Sequence, residues 1–335
     1  MENEKDVSKV SPCLPYFVNP DYAENGVLDI EKIHKSKKRI IVCVDRNIFT
    51  DMVYIAKNGA LKKDHELKKI ANFICFCNRH NFYIMSADAI VEEFFKSNDR
   101  VAATQELEAF NFIFDHIESQ KCTDILSGKL TNITPTLKNI EKNENSFEFS
   151  VAKSDILMFK VAMIHLVRVL RNNNPIETKL RDFASWYRKN CKILSYITIY
   201  MISLLAEVPN IKKPKKSQDE EFESIVSGCV NQAFDFYYLA ELKKHYNNAL
   251  INNFILVFAT FDKGLQAISS VTHNVENKRG FSGVLAEPIS RKCEKYLKIA
   301  NEEYSKNDKI TIVGDESEFY EKLLEEELTL LKAEI

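Results

Sequence analysis

Apolar residues along the chain follow two rhythms, and the switch between them organises the sequence. Near the N-terminal end, Arg39-Ile-Ile-Val-Cys-Val44 is a continuous β-branched run that stops at Asp45. Such a run suits a strand covered on both faces, as in a parallel sheet. Residues 47–57 then turn helical in period, with Ile48, Met52 and Ile55 on one side. A helix over 65–79, a strand over 81–85 and a helix over 87–97 continue the alternation, which predicts an α/β core. Residues 1–35 contain Pro15, Pro20 and Gly26 and read as an irregular lead-in with a short helix near 28–34.

From about 100 to 230 the strand rhythm disappears. Residues 105–118, 154–171, 179–206 and 221–247 all repeat apolar positions at helical spacing. The breaks are Asn172-Asn-Asn-Pro175, then Pro209 with the run Lys212-Lys-Pro-Lys-Lys216, while 131–149 is polar and reads as loop. The strand pattern returns at Phe254-Ile-Leu-Val-Phe-Ala259 and again at Lys309-Ile-Thr-Ile-Val313, before a closing helix over 318–332. The expected division is a lead-in at 1–35, a core at 36–99 and 221–335, and a helical insertion at 100–220.

Composition narrows the class. Hydrophobic residues at 45% and charged residues at 28% suit a globular chain rather than a disordered one. Only 8 glycines leave few tight turns, so long helices are expected to dominate. The formal net charge is −2, so any nucleic-acid surface must be local. The 8 cysteines have no regular spacing and read as reduced thiols of a cytoplasmic protein. Cys75, Cys77 and His80 lie close in sequence, but residues two apart on a helix face different ways, which favours buried thiols over zinc ligands. No signal peptide is read at the N-terminus, and the uncharged stretch 193–206 is too short to cross a bilayer.

Two of the expected strands lead to an aspartate, Val44-Asp45 and Ala259-Thr-Phe-Asp262. Ligands in open parallel sheets bind beyond the carboxyl ends of the strands, so these carboxylates are expected at one edge. Asp235 sits within Ala233-Phe-Asp-Phe-Tyr-Tyr-Leu-Ala240, an apolar helical segment where a buried charge needs a partner. A cation is one such partner, and a nearby hydroxyl or basic group is the other. A further acid comes from Glu92 and Glu93, for which a solvated helix face is the competing reading.

Taken in order, these segments resemble the PIN-domain superfamily of metal-dependent nucleases. Ile41-Val-Cys-Val-Asp45-Arg-Asn47 is similar to its first strand and Asp-x-Asn. Ile84-Met-Ser86 through Glu93 is similar to its second strand and acidic helix. Phe234-Asp235 and Val257-Phe-Ala-Thr260-Phe-Asp262 are similar to its helix aspartate and its final Thr-x-Asp. The resemblance spans roughly 40–95 and 225–315. It implies an α/β/α sandwich with a mainly parallel sheet, and an endoribonuclease site that binds Mg²⁺ or Mn²⁺ through Asp45, Glu93 or Glu92, Asp235 and Asp262. Asn47 and Thr260 would orient ligands or water, and Arg46 and Lys263 would contact substrate phosphate. Arg46 departs from the small hydroxyl residue common there, and the interval between Glu93 and Asp235 is long. An RNA substrate, a controlling protein partner and a toxin or defence role are implied; a homo-oligomer is compatible, and no membrane is expected. A non-cutting scaffold that binds RNA or protein, and a DNA-directed nuclease, are the alternatives. A phospho-accepting receiver domain ranks lower, since Val44-Asp45-Arg46 lacks the acidic pair it needs.

Other features carry less chemistry. Asp315 reads as the cap of the last helix, and Asp155 as a cap or first-turn acid, with entry into the cleft as its second reading. His165 reads as a satisfied core histidine. Lys212 to Lys216 reads as a solvated loop, with phosphate binding as the second reading.

Overall fold

The computed structural model describes residues 14–61, 64–86, 88–117, 119–133, 153–307 and 310–335. The fold is mixed α/β, with a small central four-stranded sheet and many helices. It divides into two compact units, residues 1–150 with 242–266 and residues 151–241 with 267–335. This is not the division drawn from the sequence. The helices after residue 266 group with the helical middle of the chain, because their apolar faces pack on its helices.

The first unit holds a four-stranded sheet in the order β1 (Tyr16–Val18), β6 (Phe254–Thr260), β4 (Arg39–Val44), β5 (Tyr83–Met85). Strand β4 pairs in parallel with both β5 and β6, while β1 runs antiparallel to β6. The expected strand at 81–85 is confirmed over its last three residues. In β4, Ile40, Val42, Cys43 and Val44 are buried, and in β6 every residue after Phe254 is buried, as the continuous apolar runs require. Helices α2 (Arg46–Asn58), α3 (Asp64–Arg79), α4 (Asp88–Ser97), α5 (Arg100–His116) and α6 (Ser119–Leu126) complete the unit. Phe49 of α2 stacks on Phe110 of α5 with centroids 5.1 Å apart, deep in the core.

The lead-in is more regular than the sequence reading had it. The short helix expected there is α1 (Ile30–Ser36), and besides it and β1 the segment forms the hairpin β2 (Ala23–Glu24) and β3 (Val27–Leu28). Asn25 and Gly26 turn the hairpin with φ of 50° and 82°, the left-handed pair a tight hairpin needs. Asn19 ties it to the sheet: its Nδ2 donates to the Leu256 carbonyl at 2.6 Å, and its Oδ1 accepts from the Asp21 and Tyr22 N–H groups.

The second unit is helical. It contains α7 (Lys153–Arg171), α8 (Ile176–Asn190), α9 (Ser195–Leu205), α12 (Glu287–Tyr304) and α13 (Glu316–Glu334). The division cuts α10 (Phe222–Ile251) after Glu241 and α11 (Lys263–Glu276) after Gln266. Helix α13 packs along α7, and α12 along α8. The single helix expected over 179–206 is two helices, because Cys191 is extended and the Leu194 N–H donates to the Tyr187 hydroxyl at 3.2 Å. The strand expected at 309–313 is a second correction: residue 309 lies outside the described residues, and 310–313 form no strand. Ile310 donates its N–H to the Arg188 carbonyl and Val313 is exposed, so 310–313 has no sheet partner among the described residues. The polar stretch 131–149 falls largely outside the described residues.

Asp315 caps α13, its Oδ1 accepting from the Ser317 and Glu318 N–H groups, and Asp155 lies in the first turn of α7. His165 is half-buried and stacks on Trp186 at 3.8 Å, and its Nδ1 lies 3.1 Å from both Glu327 carboxylate oxygens. Cys77 and Cys122 are buried thiols; burial holds Cys77 well above its ordinary pKa and pushes Cys122 up to about 12. Among the described residues no helix is long and apolar enough to cross a membrane.

Candidate functional site

In the parallel ladder, Val44 of β4 lies opposite Ala259 of β6, so the residues that follow them leave the sheet together. Asp45 donates its N–H to the Ala259 carbonyl at 3.0 Å and then starts α2, its Oδ1 accepting from the Ile48 N–H at 2.8 Å. Its Oδ2 accepts from the Thr260 hydroxyl. The same hydroxyl oxygen accepts from the Asp262 N–H at 2.9 Å. Asp262 in turn begins α11, its Oδ1 accepting from the Gly264 and Leu265 N–H groups at 2.6 and 3.2 Å. Both aspartates therefore serve as helix caps, which fixes their carboxylates at the carboxyl edge of the sheet.

Asp45 is only 3% exposed. Burial pushes its carboxyl from 3.8 up to about 6; the Ile48 and Thr260 donors oppose that rise, while the charges of Asp262 and Glu92 add to it. Glu92 thus lies within the field of Asp45, from helix α4.

Glu92 and Glu93 are neighbours on one helix and so face about 100° apart. Glu92 is 5% exposed and forms an ion pair with Lys96, one turn on. Glu93 instead meets Arg46, whose other nitrogen reaches Glu106 of α5 at 2.9 Å. The Arg46 guanidinium also lies 5.0 Å from the Phe49 ring centre. Arg46, expected to contact substrate, is thus occupied as a clamp joining α2, α4 and α5. Asn47 and Lys263 are exposed at the first turns of α2 and α11.

Asp235 belongs to the second unit, on the part of α10 that precedes Glu241. Its Oδ2 accepts from Gln232 at 3.1 Å, and the Gln232 Oε1 lies 3.3 Å from the Tyr200 hydroxyl oxygen. Its charge therefore has local polar company. Among the described residues, no group of three or more His, Cys, Asp or Glu side chains is arranged to hold a metal ion.

Three residues of this neighbourhood escape the sequence reading. Lys96 could have been found from its i,i+4 spacing to Glu92. Glu106 could not, being distant in sequence and joined to Arg46 by the fold alone. Asp51 on α2 has its carboxyl pushed up to about 6 by burial and then by Glu66, with Lys69 opposing; a single acid on an amphipathic helix carries no such signal. No family model matches the chain, nor does any curated protein or solved structure.

Proposed function

We propose that the chain is a PIN-like, metal-dependent endoribonuclease whose working edge is Asp45, Thr260, Asp262 and Glu92. The observation that carries this reading is the buried Asp45 carboxylate, anchored by Thr260 at the carboxyl ends of two parallel strands and repelled by two further acids. A carboxylate in that position is costly to ionise, and a cation relieves the cost.

The donor set fits Mg²⁺ or Mn²⁺ in kind, since hard divalent cations take carboxylate oxygens and few protein ligands. Asp45 would be its principal ligand, with Asp262 and Glu92 of the first unit near enough to act on the same charge, though the three are not arranged as a ready ligand group. When bound, the cation would activate water and neutralise charge on a phosphodiester. The chain's own part is positional. The Ile48 N–H and the Thr260 hydroxyl each use one lone pair of the Asp45 oxygens and leave the others for a ligand. Thr260 couples Asp45 to the backbone of Asp262, so the two acids move as one body. Asp235 enters the proposal through the sequence resemblance.

The scaffold reading, in which the chain binds RNA or protein without cutting, draws on the absence of a ready three-ligand group among the described residues. Incubating labelled RNA and DNA with Mn²⁺, Mg²⁺ or EDTA, beside Asp45→Asn, separates the readings. Metal-dependent RNA cutting lost in the variant supports the nuclease. Neither cutting nor a metal-induced rise in melting temperature supports the scaffold.

A further inference from the structure

Between α9 and α10, within the second unit, the chain runs Ile211-Lys-Lys-Pro214-Lys-Lys-Ser217. Every third residue, Ile211, Pro214 and Ser217, is buried, and the four lysines between them are all exposed. The backbone is held at many points. The Tyr200 hydroxyl donates to the Lys212 carbonyl at 2.6 Å. Arg171 Nη1 donates to the Ser217 and Asp219 carbonyls at 3.0 and 2.9 Å. Ser217 and Asp219 close turns onto Pro214 and Lys216. Gly228 of α10 lies so close beneath that a Cβ there would sit 1.7 Å from the Lys215 carbonyl oxygen.

Among the described residues, no carboxylate pairs with the charges on this pinned loop. Elsewhere in the unit Lys153, Lys192, Lys295 and Lys306 each meet a glutamate. Among the described residues, Lys212, Lys213, Lys215 and Lys216 form no ion pair. A fifth cation stands nearby: burial, then the charge of Lys213, holds Lys179 below the usual lysine range, and its ammonium donates to the Leu170 carbonyl at 3.1 Å. Of the acids that follow, Asp219 is held through its backbone at the last anchor, Glu220 and Glu221 lie beyond it, and Glu221 accepts from Ser224. In a chain of net charge −2, this concentration of like charge is a local feature.

We propose that the 212–216 loop is a docking surface for the phosphodiester backbone of single-stranded nucleic acid. The exposed lysines are spread along the loop on both sides of Pro214, which suits successive phosphates better than a single anion. Because the backbone is already ordered, binding orders only side chains, and it releases the counterions condensed on the strand. That the strand is RNA rests on the nuclease reading; the phosphate contact does not.

The test uses the full chain carrying Asp45→Asn, in EDTA, so that cutting plays no part. Binding of oligouridylate and of oligothymidylate of equal length is followed by fluorescence anisotropy across a salt series. Replacing Lys212, Lys213, Lys215 and Lys216 with Gln is compared with the same charge change made at Lys278, Lys292, Lys298 and Lys322, exposed lysines elsewhere in the unit. The loop variant should bind at least 10-fold more weakly at about 0.1 M salt, with its log–log salt slope reduced by roughly 3. The control should change neither, and both should melt with the parent. Similar loss with RNA and DNA supports backbone recognition. Equal effects of the two variants, or binding of neither strand by the parent, overturn the proposal. Cutting is assayed separately with the wild-type aspartate. Loop-dependent binding without cutting sinks the nuclease reading alone; cutting without loop-dependent binding sinks this one alone.

Discussion

The Thr260 hydroxyl donates to the Asp45 carboxylate, joining two residues 215 apart in sequence across adjacent parallel strands. Thr260 itself is fully buried, and its oxygen also receives the Asp262 N–H. One side chain therefore links both candidate acids. Thr260→Val keeps the shape and removes both bonds, leaving a buried carboxylate and an N–H short of partners. It should destabilise the fold by about 1–3 kcal/mol, read by urea unfolding, while Thr260→Ser should recover most of the loss. On the nuclease reading, Val should also lower cutting at least 10-fold.

Asp45 should weaken the metal-free protein at neutral pH. Its folded pKa, about 6, lies above the ordinary 3.8. The native state therefore binds the proton more tightly than the unfolded chain, and the ionised group costs stability. That cost is fully developed above pH 6 and vanishes as pH falls below 3.8. In EDTA at pH 8, Asp45→Asn should be the more stable protein by up to about 3 kcal/mol. Near pH 4 the gain should shrink toward zero. Added Mg²⁺ or Mn²⁺ should raise the melting temperature of the parent and not that of the variant; an equal rise in both would remove Asp45 from the metal site.

Arg46 is shared by Glu93 and Glu106, with all three side chains about a fifth exposed. Arg46→Ala should cost about 1–2 kcal/mol, since it strands two partly buried carboxylates close together. Combining it with Glu93→Gln should cost less than the sum, as a double-mutant cycle would show. Glu92→Gln should weaken metal-induced stabilisation more than Glu93→Gln; the reverse order would reinstate Glu93 as the ligand.

His165 should make the second unit acid-sensitive. Burial, with the charge of Arg168 adding, holds its pKa below 6.5 against the opposing pull of Glu327 and Glu334. The other faces around it carry Phe183 and Trp186 of α8. The unfolded chain therefore takes up the proton first, and stability is lost as pH falls below about 6.5. His165→Gln cannot titrate, so its melting temperature should fall less steeply between pH 6.5 and 5. Parallel profiles would show that the imidazole is not responsible.

Gly228 should be intolerant of a methyl group. Alanine favours a helix by about 1 kcal/mol over glycine, yet here its Cβ would meet the Lys215 carbonyl at 1.7 Å. Backbone must move, so Gly228→Ala should destabilise by about 1–3 kcal/mol in thermal unfolding. A neutral or stabilising result would mean that α10 and the lysine loop are not in close contact.

Much of the local structure was legible. The run Arg39–Val44 predicts β4, and the period of Ile48, Met52 and Ile55 predicts α2. Asp315 was readable as a cap because its acceptor and the donors it serves lie within three residues. The Asn25-Gly26 hairpin was equally local, although the prolines around it pointed to irregular chain. Where local pattern misled, a distant partner decided. Tyr187 and Cys191 split one apolar stretch into two helices, and 310–313 has strand chemistry with no strand beside it among the described residues.

By itself the sequence determined that strands alternate with helices at 39–97, that helices fill the middle of the chain, and that Asp45 and Asp262 follow buried strands. Those facts depend on periodicity and on contacts a few residues long. Only tertiary structure decided that β6 lies beside β4, that Thr260 holds Asp45, that Glu92 shares its field while Glu93 turns to Arg46, and that the helices after residue 266 group with the second unit. Each of these depends on which surfaces meet across tens to hundreds of residues. A hydrophobic pattern specifies that a face must be covered; it leaves open which element covers it.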